Sequence, residues 1–491
     1  MYKVRLRQCG VLLHPTSLPG NGRYGNLGSE AYRFIDFLAA AGIGWWQVLP
    51  LGPTGSDLSP YHSLSAFAGN PRMISLAEAV RMEGMGQLEA PDVDYDDEEA
   101  FRAGVFGLLD VFMNHSDPAL QRECEIFCDE NRYWLEDYAL FTSLRLLHNG
   151  KPWTAWPEPI KKRDRQALEE AAHQLGDDIA RVRFEQFLFF RQWSRLRKYA
   201  RTRRVSLMGD MPFFVAHDSA EVWASQKSFD LDDGGSPRTV AGVPPDYFSE
   251  TGQRWGNPQF NWQSLEQEKF GWWRNRIKHL LDCFDLIRID HFRGFDAVWE
   301  IPAAEKTAVS GRWINVPGDK LLAVLKSEFD SVPFVAEDLG LITEGVLHLR
   351  DHFRLPGTKV LQFAFDSDAD NPYLPHNYEH NFVVYTGTHD NDTTLGWYKG
   401  LNRKTKDRVD SYLGYPQEPV PWPLIRLAMA SVASLAIFPM QDLLAQDSSE
   451  RMNVPGTVES NNWRYRFDWQ QMDDDLGGRL REMVTLYGRK A

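Results

Sequence analysis

The stretch DLIRIDHF, residues 285–292, is a short apolar run that ends in a carboxylate, Asp290. Seven further runs rich in Val, Ile, Leu and Phe recur along the chain, with amphipathic helical stretches between many of them. The eight runs are GVLLH (10–14), WWQVLPL (45–51), VSLMGDMPF (205–213), DLIRIDHF (285–292), PFVAEDL (333–339), TKVLQFAF (358–365), NFVVYTG (381–387) and ASLAIFPMQDLL (433–444). Continuous apolar runs that alternate with helices indicate parallel strands buried on both faces.

The helix that follows the first run can be located from its pattern. We expect Ser29 to cap its start and Gly42 to end it. Its apolar stripe consists of Ala31, Phe34, Ile35, Leu38 and Ala39. This completes a strand–loop–helix–strand unit, and eight such strands predict an α/β fold of the (β/α)8 TIM-barrel type. A doubly wound open sheet is the alternative fold.

Two long segments exceed what a simple crossover between strands needs. Inserted, mainly helical subdomains are predicted at approximately 52–204 and 216–284, the first including the amphipathic stretch RFEQFLFFRQWSRLRKYA (183–200). Residues 216–261, rich in Gly, Pro, Asp and aromatics, are predicted to form a long functional loop. After the eighth run the chain is too short for a C-terminal β-sandwich, so 1–491 is expected to be a single catalytic barrel domain.

The charge balance and the apolar segments restrict the possible partners. The formal net charge is −14, from 54 basic and 68 acidic residues, which disfavours nucleic acid and anionic membranes as partners. The N-terminal apolar run is too short for a signal peptide, and no later segment approaches a membrane-spanning length. We therefore expect a cytoplasmic protein; the sequence does not indicate its oligomeric state.

Gly20, Gly22 and Gly25 spell the G-x-G-x-x-G pattern of a dinucleotide-binding turn. Pro15 and Pro19 separate these glycines from the first run, and no acidic residue ends the second run, where a ribose would need one. We interpret the segment as a loop at the barrel mouth that binds no NAD(P). No compact His/Asp/Glu cluster suggests a metal, so neither a cofactor nor a metal is expected.

Three of the predicted strands end in carboxylates, namely Asp290, Glu337 and Asp390. In an α/β barrel the C-terminal strand ends converge on one mouth, so these side chains are expected to be neighbours. Cleavage of a glycosidic bond with retention needs one carboxylate as nucleophile and another as acid, about 5 to 5.5 Å apart. The alternative is that each carboxylate merely caps a helix or pairs with an arginine. Three such carboxylates, each after an apolar strand, together favour a catalytic role over a structural one.

The residues around these carboxylates suggest a role for each one. Arg288 lies two residues before Asp290, so both side chains point the same way and its charge is expected to keep Asp290 ionised for attack on the anomeric carbon. Glu337, crowded by other carboxylates, is expected to hold its proton and donate it to the leaving oxygen. Asp390 is then left to bind ring hydroxyls of the strained sugar.

Eight linked motifs, from near the N-terminus to near the C-terminus, resemble those of the 4-α-glucanotransferases of glycoside hydrolase family 77. They are LLHPTSLPG (12–20), SPYHSLSAFAGNP (59–71), GDMPFFVAHDSAEVW (209–223), PPDYFSETGQRWGNPQFNW (244–262), RIDHFRGF (288–295), VAEDLG (335–340), GTHDNDTTLGW (387–397) and NVPGT…NNWRYR (453–466). Together they are highly specific. The resemblance implies a barrel with inserted subdomains and no C-terminal β-sandwich.

The same resemblance implies roles for residues at the matching positions. Asp290 resembles the nucleophile, Glu337 the general acid/base and Asp390 the stabiliser of the transition state. Supporting residues of the active centre are matched by Asp210, Arg288 and His389.

The resemblance also implies sugar contacts, beside others suggested by position. Tyr61 resembles a ring that stacks on the sugar next to the scissile bond, and Trp255 a wall of the glucan groove. His291 adjoins a candidate carboxylate and is expected to bind a hydroxyl, as is His389. Asp366, at the end of the sixth run, is a further candidate sugar contact.

Together these features predict retaining transfer of an α-1,4-glucan segment to the 4-OH of glucose or another α-glucan through a covalent glycosyl-aspartate. Maltooligosaccharides or other α-1,4-glucans are the expected donors. An α-glucan hydrolase is the competing enzyme, because water can also resolve the covalent intermediate. We favour transfer because loop 244–262 resembles one that shields the intermediate from water. A noncatalytic glycan-binding protein is the third reading, against which the three intact carboxylates argue.

Overall fold

The computed structural model describes residues 7–20, 22, 24–81, 93–94, 97–245, 249–329, 332–457, 461–472 and 475–491. Its strands, in chain order, are β1 (Gln8–Leu12), β2 (Trp45–Gln47), β3 (Ser206–Pro212), β4 (Thr239–Val243), β5 (Gln253–Pro258), β6 (Leu286–Asp290), β7 (Ala297–Pro302), β8 (Arg312–Asn315), β9 (Phe334–Ala336), β10 (Gly357–Val360), β11 (Phe382–Tyr385) and β12 (Leu435–Pro439).

The α-helices surround and extend this strand framework. In chain order they are α1 (Ser29–Ala41), α2 (Leu76–Val80), α3 (Glu98–His115), α4 (Pro118–Glu130), α5 (Arg132–Leu147), α6 (Glu158–Lys161), α7 (Arg165–Gln174), α8 (Gly176–Thr202), α9 (Ala220–Ala224), α10 (Trp262–Gln267), α11 (Gly271–Cys283), α12 (Gly318–Phe329), α13 (Glu344–His352), α14 (Thr394–Gly400), α15 (Arg403–Tyr412), α16 (Trp422–Ala430), α17 (Met440–Leu443) and α18 (Leu476–Leu486).

Eight parallel strands form the barrel, in the order β1-β2-β3-β6-β9 on one side and β1-β12-β11-β10 on the other. All eight apolar runs contribute one of these strands, so the predicted (β/α)8 barrel is confirmed. At the seam between β9 and β10, the backbone N–H of Ala336 donates to the carbonyl of Pro356 over 2.8 Å. The barrel is therefore nearly closed, and all eight strands direct their C-terminal ends to one mouth.

Helix α1 matches its predicted span except at the first residue. Gly28 occupies the N-cap position and Ser29 is already helical, with no side-chain cap bond, so the predicted cap at Ser29 is wrong. Gly28 takes this place because its own N–H donates to Asn26 Oδ1 over 3.0 Å. Gly42 ends the helix in the left-handed conformation (φ 75°), as expected.

Between β2 and β3 the described residues are mainly helical after residue 75, with α8 spanning 27 residues across the predicted amphipathic stretch. Residues 82–92 and 95–96 of this predicted insertion lie outside the described residues. The subdomain boundaries 52–204 and 216–284 stay predictions. After β12, the described part of the chain contains helices and no further strand, and thus no sign of a C-terminal sandwich.

A second sheet of four antiparallel strands, in the order β5-β4-β7-β8, was not predicted. Strands β4 and β5 lie within residues 216–261, where the sequence analysis expected a loop, and β7 and β8 follow β6. Trp299 and Trp313 are cross-strand partners, with ring centroids 5.2 Å apart. Residues 246–248, part of the predicted loop 244–262, lie outside the described residues.

The described helices include none with the combination of length and apolar character required to cross a bilayer. Residues 1–6, which open the segment judged too short for a signal peptide, lie outside the described residues.

Candidate active site

Neighbouring barrel strands place the predicted residues at the mouth. Asp210 on β3 is the register partner of Arg288 on β6, and Asp290 is the last residue of that strand. Strand β9 pairs with β6 in the same sheet, and Glu337 follows directly after its last residue. Because parallel strands end together at the mouth, the four charged groups meet there.

The guanidinium of Arg288 connects two of the carboxylates. Its Nη1 donates to both oxygens of Asp210, over 2.9 and 2.8 Å, and to Asp290 Oδ1 over 3.1 Å. The hydroxyl of Tyr61 donates to Asp210 Oδ2 over 2.8 Å. Arg288 is 4% exposed and Asp210 2% exposed. Asp210 therefore compensates the buried charge of Arg288 and orients both Arg288 and Tyr61.

Two opposing effects act on the carboxyl group of Asp290. Burial raises its pKa to about 7, against the opposing effect of Arg288, with further increases from Asp210 and Asp390. Arg288 is shared between Asp290 and Asp210, which weakens its effect on Asp290. That Arg288 keeps Asp290 ionised stays a prediction.

Glu337 holds its proton more tightly than Asp290 does. Burial and the charge of Asp290 raise its pKa to about 8, although the charge of Arg288 and a backbone hydrogen bond favour ionisation. Its Oε2 accepts from the backbone N–H of His291 over 2.7 Å, and its Oε1 from Leu339 N–H over 3.2 Å. Arg288 donates directly to Asp290, so Asp290 loses its proton before Glu337 does.

His291 links the two strand ends through its backbone. It adopts a left-handed conformation (φ 54°), and its N–H donates to Glu337 Oε2. Burial lowers the pKa of its ring to about 4, and no described residue bonds its buried Nε2. The ring of Trp255, on β5, lies edge-on to that of His291, with centroids 4.9 Å apart. Trp255 thus packs against the residue that follows Asp290, and the groove wall predicted for Trp255 stays a prediction.

Asp390 lies on the opposite side of the mouth and is held mainly by a later segment. Its Oδ2 is 3.4 Å from His389 Nε2, and its Oδ1 accepts from Asn453 Nδ2 over 2.7 Å. Arg451 donates to its main-chain carbonyl over 3.0 Å. The sequence analysis assigned no role to Asn453 or Arg451; the only signal was that Asn453 opens the motif at 453–466.

Aromatic rings pack around His389. The ring of Tyr61 stacks on it, with centroids 5.0 Å apart and an angle of 11° between the planes. Trp463 lies 5.7 Å from Tyr61 and 5.9 Å from His389. One face of Tyr61 is thereby covered by His389, and the sugar contact of Tyr61 stays a prediction.

Asp366 is not joined to this group by a hydrogen bond. Its side chain is exposed, and Oδ1 accepts from Asn371 Nδ2 over 2.8 Å. Its proposed sugar contact stays a prediction.

The glycine-rich segment is bound through its carbonyl oxygens. Arg466 donates to the carbonyls of Gly20 and Gly22, and helix α1 begins only at Ser29. Among the described residues, no group of three or more His, Cys, Asp or Glu side chains could hold a metal ion.

The residue after Glu337, Asp338, fastens the barrel seam. Its Oδ1 accepts from Thr358 N–H on β10, and its Oδ2 accepts from Arg350, both over 2.7 Å. We expect Asp338→Asn to lower the free energy of unfolding by about 3 kcal/mol, because it leaves the charge of Arg350 without its buried partner. Urea titration of the variant measures this.

Asp351 provides the matched control, because it is the exposed partner of the same arginine, with a 65% exposed side chain. Asp351→Asn should change the free energy of unfolding by about 0.5 kcal/mol or less. Equal changes in the free energy of unfolding for the two substitutions would show that the contact of Asp338 at the seam does not stabilise the barrel more than an exposed ion pair does.

This arrangement combines two carboxyl groups with raised pKa values, Glu337 and the Arg288-bonded Asp290, on neighbouring strands at one mouth. Such a pair can protonate a leaving oxygen while attacking a carbon on the other side of the bond.

Comparison with known proteins assigns the chain to a family. The sequence profile of glycoside hydrolase family 77, described as 4-alpha-glucanotransferase, matches residues 13–471. The chain is 50% identical to a 4-alpha-glucanotransferase from Thermus thermophilus (98% of this chain, 99% of the relative) and 46% identical to one from Synechocystis sp. (99% and 98%). A solved amylomaltase from Streptococcus agalactiae, in complex with acarbose, matches with a TM-score of 0.93 at 35% identity, over 99% of this chain and 100% of that chain. The chain therefore belongs to glycoside hydrolase family 77, the 4-alpha-glucanotransferases.

Proposed function

We propose that this protein is a 4-α-glucanotransferase that moves a segment of an α-1,4-glucan to the 4-OH of glucose or another glucan with retention of configuration. The observation that carries this proposal is the pairing of Asp290, bonded to Arg288, with the more tightly protonated Glu337. Family membership supports the substrate class, and the position of the two carboxyls on neighbouring strands supports their roles.

In the first step, Glu337 gives its proton to the glycosidic oxygen while Asp290 attacks the anomeric carbon from the opposite face. The bond between that carbon and the glycosidic oxygen breaks, and the leaving glucan departs with a free 4-OH. The products are a glycosyl ester of Asp290 and an ionised Glu337. Arg288 stays bonded to Asp210 throughout and so keeps a positive charge beside the reacting carboxylate.

In the second step, the 4-OH of the acceptor gives its proton to Glu337 and attacks the anomeric carbon of the ester. Asp290 is released as a carboxylate, and Glu337 regains its proton. Each step inverts the anomeric carbon, so the product keeps the α configuration.

The remaining site residues bind the sugar in this scheme. Asp390 and His389 bind ring hydroxyls of the donor, and the open face of Tyr61 stacks on its ring. Trp255 and His291 form one wall of the groove that holds the glucan chain. The support for these contacts is that all five residues surround Asp290 and Glu337.

Maltotriose distinguishes transfer from hydrolysis, the second candidate function. Purified protein should convert it into glucose and a ladder of longer maltooligosaccharides while the number of reducing ends stays constant. Chromatography and a reducing-end assay measure this, with Asp290→Asn as the inactive control. Rising reducing ends without a ladder would instead establish a hydrolase, and no reaction would favour the noncatalytic glycan-binding reading. The cytoplasmic location stays a prediction.

A further inference from the structure

A small cavity lies beside His389, at the C-terminal ends of β1 and β12. It has a volume of about 20 Å³, and its lining includes apolar side chains together with His14, Ser17 and His389. His14 and Ser17 come from the segment after β1, which none of the proposed catalytic steps uses. One ordered water needs roughly 10 to 15 Å³ and two to four polar partners, so the cavity has room for one.

Two buried polar atoms beside this cavity lack a partner among the described residues. They are Nδ1 of His14 and Oγ of Ser17. His14 is only 5% exposed and Ser17 only 1%. Leaving such a buried group without a hydrogen bond costs about 1 to 3 kcal/mol of folding free energy. A water molecule in the cavity can supply the hydrogen bond for both groups.

One ring nitrogen of His389 lies near the carboxylate of Asp390. Its Nε2 lies 3.4 Å from Asp390 Oδ2, and Tyr61 stacks on its face. Burial lowers the pKa of both His389 and His14, that of His14 to about 3, so both rings are neutral at neutral pH. A neutral imidazole carries its hydrogen on one nitrogen only, and the partner of the other nitrogen decides which.

We propose that His14 is a positioning residue for His389: water in the shared cavity connects the two rings and fixes the His389 tautomer in which Nε2 donates to Asp390. The water donates to Nδ1 of His389 and bonds to His14 and Ser17. Only the kinetic consequence rests on the proposed function. By holding His389, this connection also holds the orientation of Asp390 toward the sugar.

Nitrogen NMR of the protein labelled with ¹⁵N-histidine tests the tautomer without reference to activity. The signals that disappear in His389→Gln identify that ring. In the wild type we expect one protonated and one bare nitrogen, with Nε2 carrying the hydrogen. His14→Ala should move both shifts toward the average of exchanging tautomers, whereas His14→Asn, whose amide lies near the position of Nδ1, should preserve them. His352→Ala, on exposed helix α13, is the control for loss of a histidine.

A second test measures the kcat of the same variants with maltotriose. We expect His14→Ala to lower kcat by about tenfold, as for loss of one hydrogen bond at the site, and His14→Asn to restore most of it. His14→Gln, which moves the amide to the position of Nε2, should not restore it. Unchanged His389 shifts in His14→Ala, a wild-type hydrogen on Nδ1, or equal kcat in the Asn and Gln variants would each overturn the proposal. If the wild type transfers no glucan, the proposed function fails while the NMR test still stands.

Discussion

Asp290→Ala is expected to lower kcat/KM for glucan transfer by at least about 10⁴-fold, because both chemical steps pass through its carboxylate. The substitution also removes an acceptor from Arg288, but Asp210 still accepts two hydrogen bonds from that guanidinium, so the fold should persist. Steady-state kinetics with maltotriose measure the loss. Asp407→Ala, at a side chain that is 70% exposed, is the control for removing a carboxylate and should keep full activity.

Azide can replace the missing nucleophile in this variant. With an α-maltosyl fluoride donor, whose leaving group needs no acid, azide that enters the space left by Asp290 attacks from that side. The expected product is a β-glycosyl azide, identified by the coupling constant of its anomeric proton in the proton NMR spectrum. An α-glycosyl azide, or a variant as active as the wild type, would remove Asp290 from the nucleophile role.

Glu337→Gln is expected to lower kcat for maltotriose by about 10³-fold, the usual contribution of a general acid. The amide cannot protonate the glycosidic oxygen, although it retains the size of the side chain and can still accept from His291 N–H. With α-maltosyl fluoride the first step should be nearly as fast as in the wild type, because fluoride leaves without a proton. Equal losses with both donors would contradict general acid catalysis by Glu337.

The pH dependence of the same reactions follows from the two raised pKa values. Transfer needs Asp290 ionised, so kcat/KM should fall as the pH drops below about 7, and it needs Glu337 protonated, so kcat/KM should fall as the pH rises above about 8. The two apparent values belong to the pair of carboxyls rather than to either alone. In Glu337→Gln with the fluoride donor, the fall at high pH should disappear.

The barrel was predictable because its strands are largely buried on both faces and therefore appear as mostly apolar runs. The smaller sheet was not. Strand β5, QRWGNP, carries half-exposed polar residues and two helix- and strand-disfavouring residues, Gly256 and Pro258. Its neighbour β4 pairs with β7, which lies far along the chain, and Ala241 is the register partner of Glu300. Pairing between such distant segments produces no periodic pattern in the local sequence.

The carboxylates of the site were predictable because they lie at the end of, or shortly after, strands that share one mouth. Two features around them were not. Asn453 reaches Asp390 from 63 positions away along a segment without regular structure. The left-handed conformation of His291 is rare for a residue with a side chain, and nothing in the local sequence signals it.

Mass spectrometry can detect the covalent glycosyl ester on Asp290, through which both steps of the proposed transfer pass. Glu337→Gln should form the ester from α-maltosyl fluoride and release it slowly, because the base that activates the acceptor is missing. After quenching in acid and digestion with trypsin, the account predicts a maltosyl group on the peptide of residues 289–293, IDHFR, attached at Asp290. A maltosyl group on any other residue, or fluoride released catalytically with that peptide always unmodified, would contradict it.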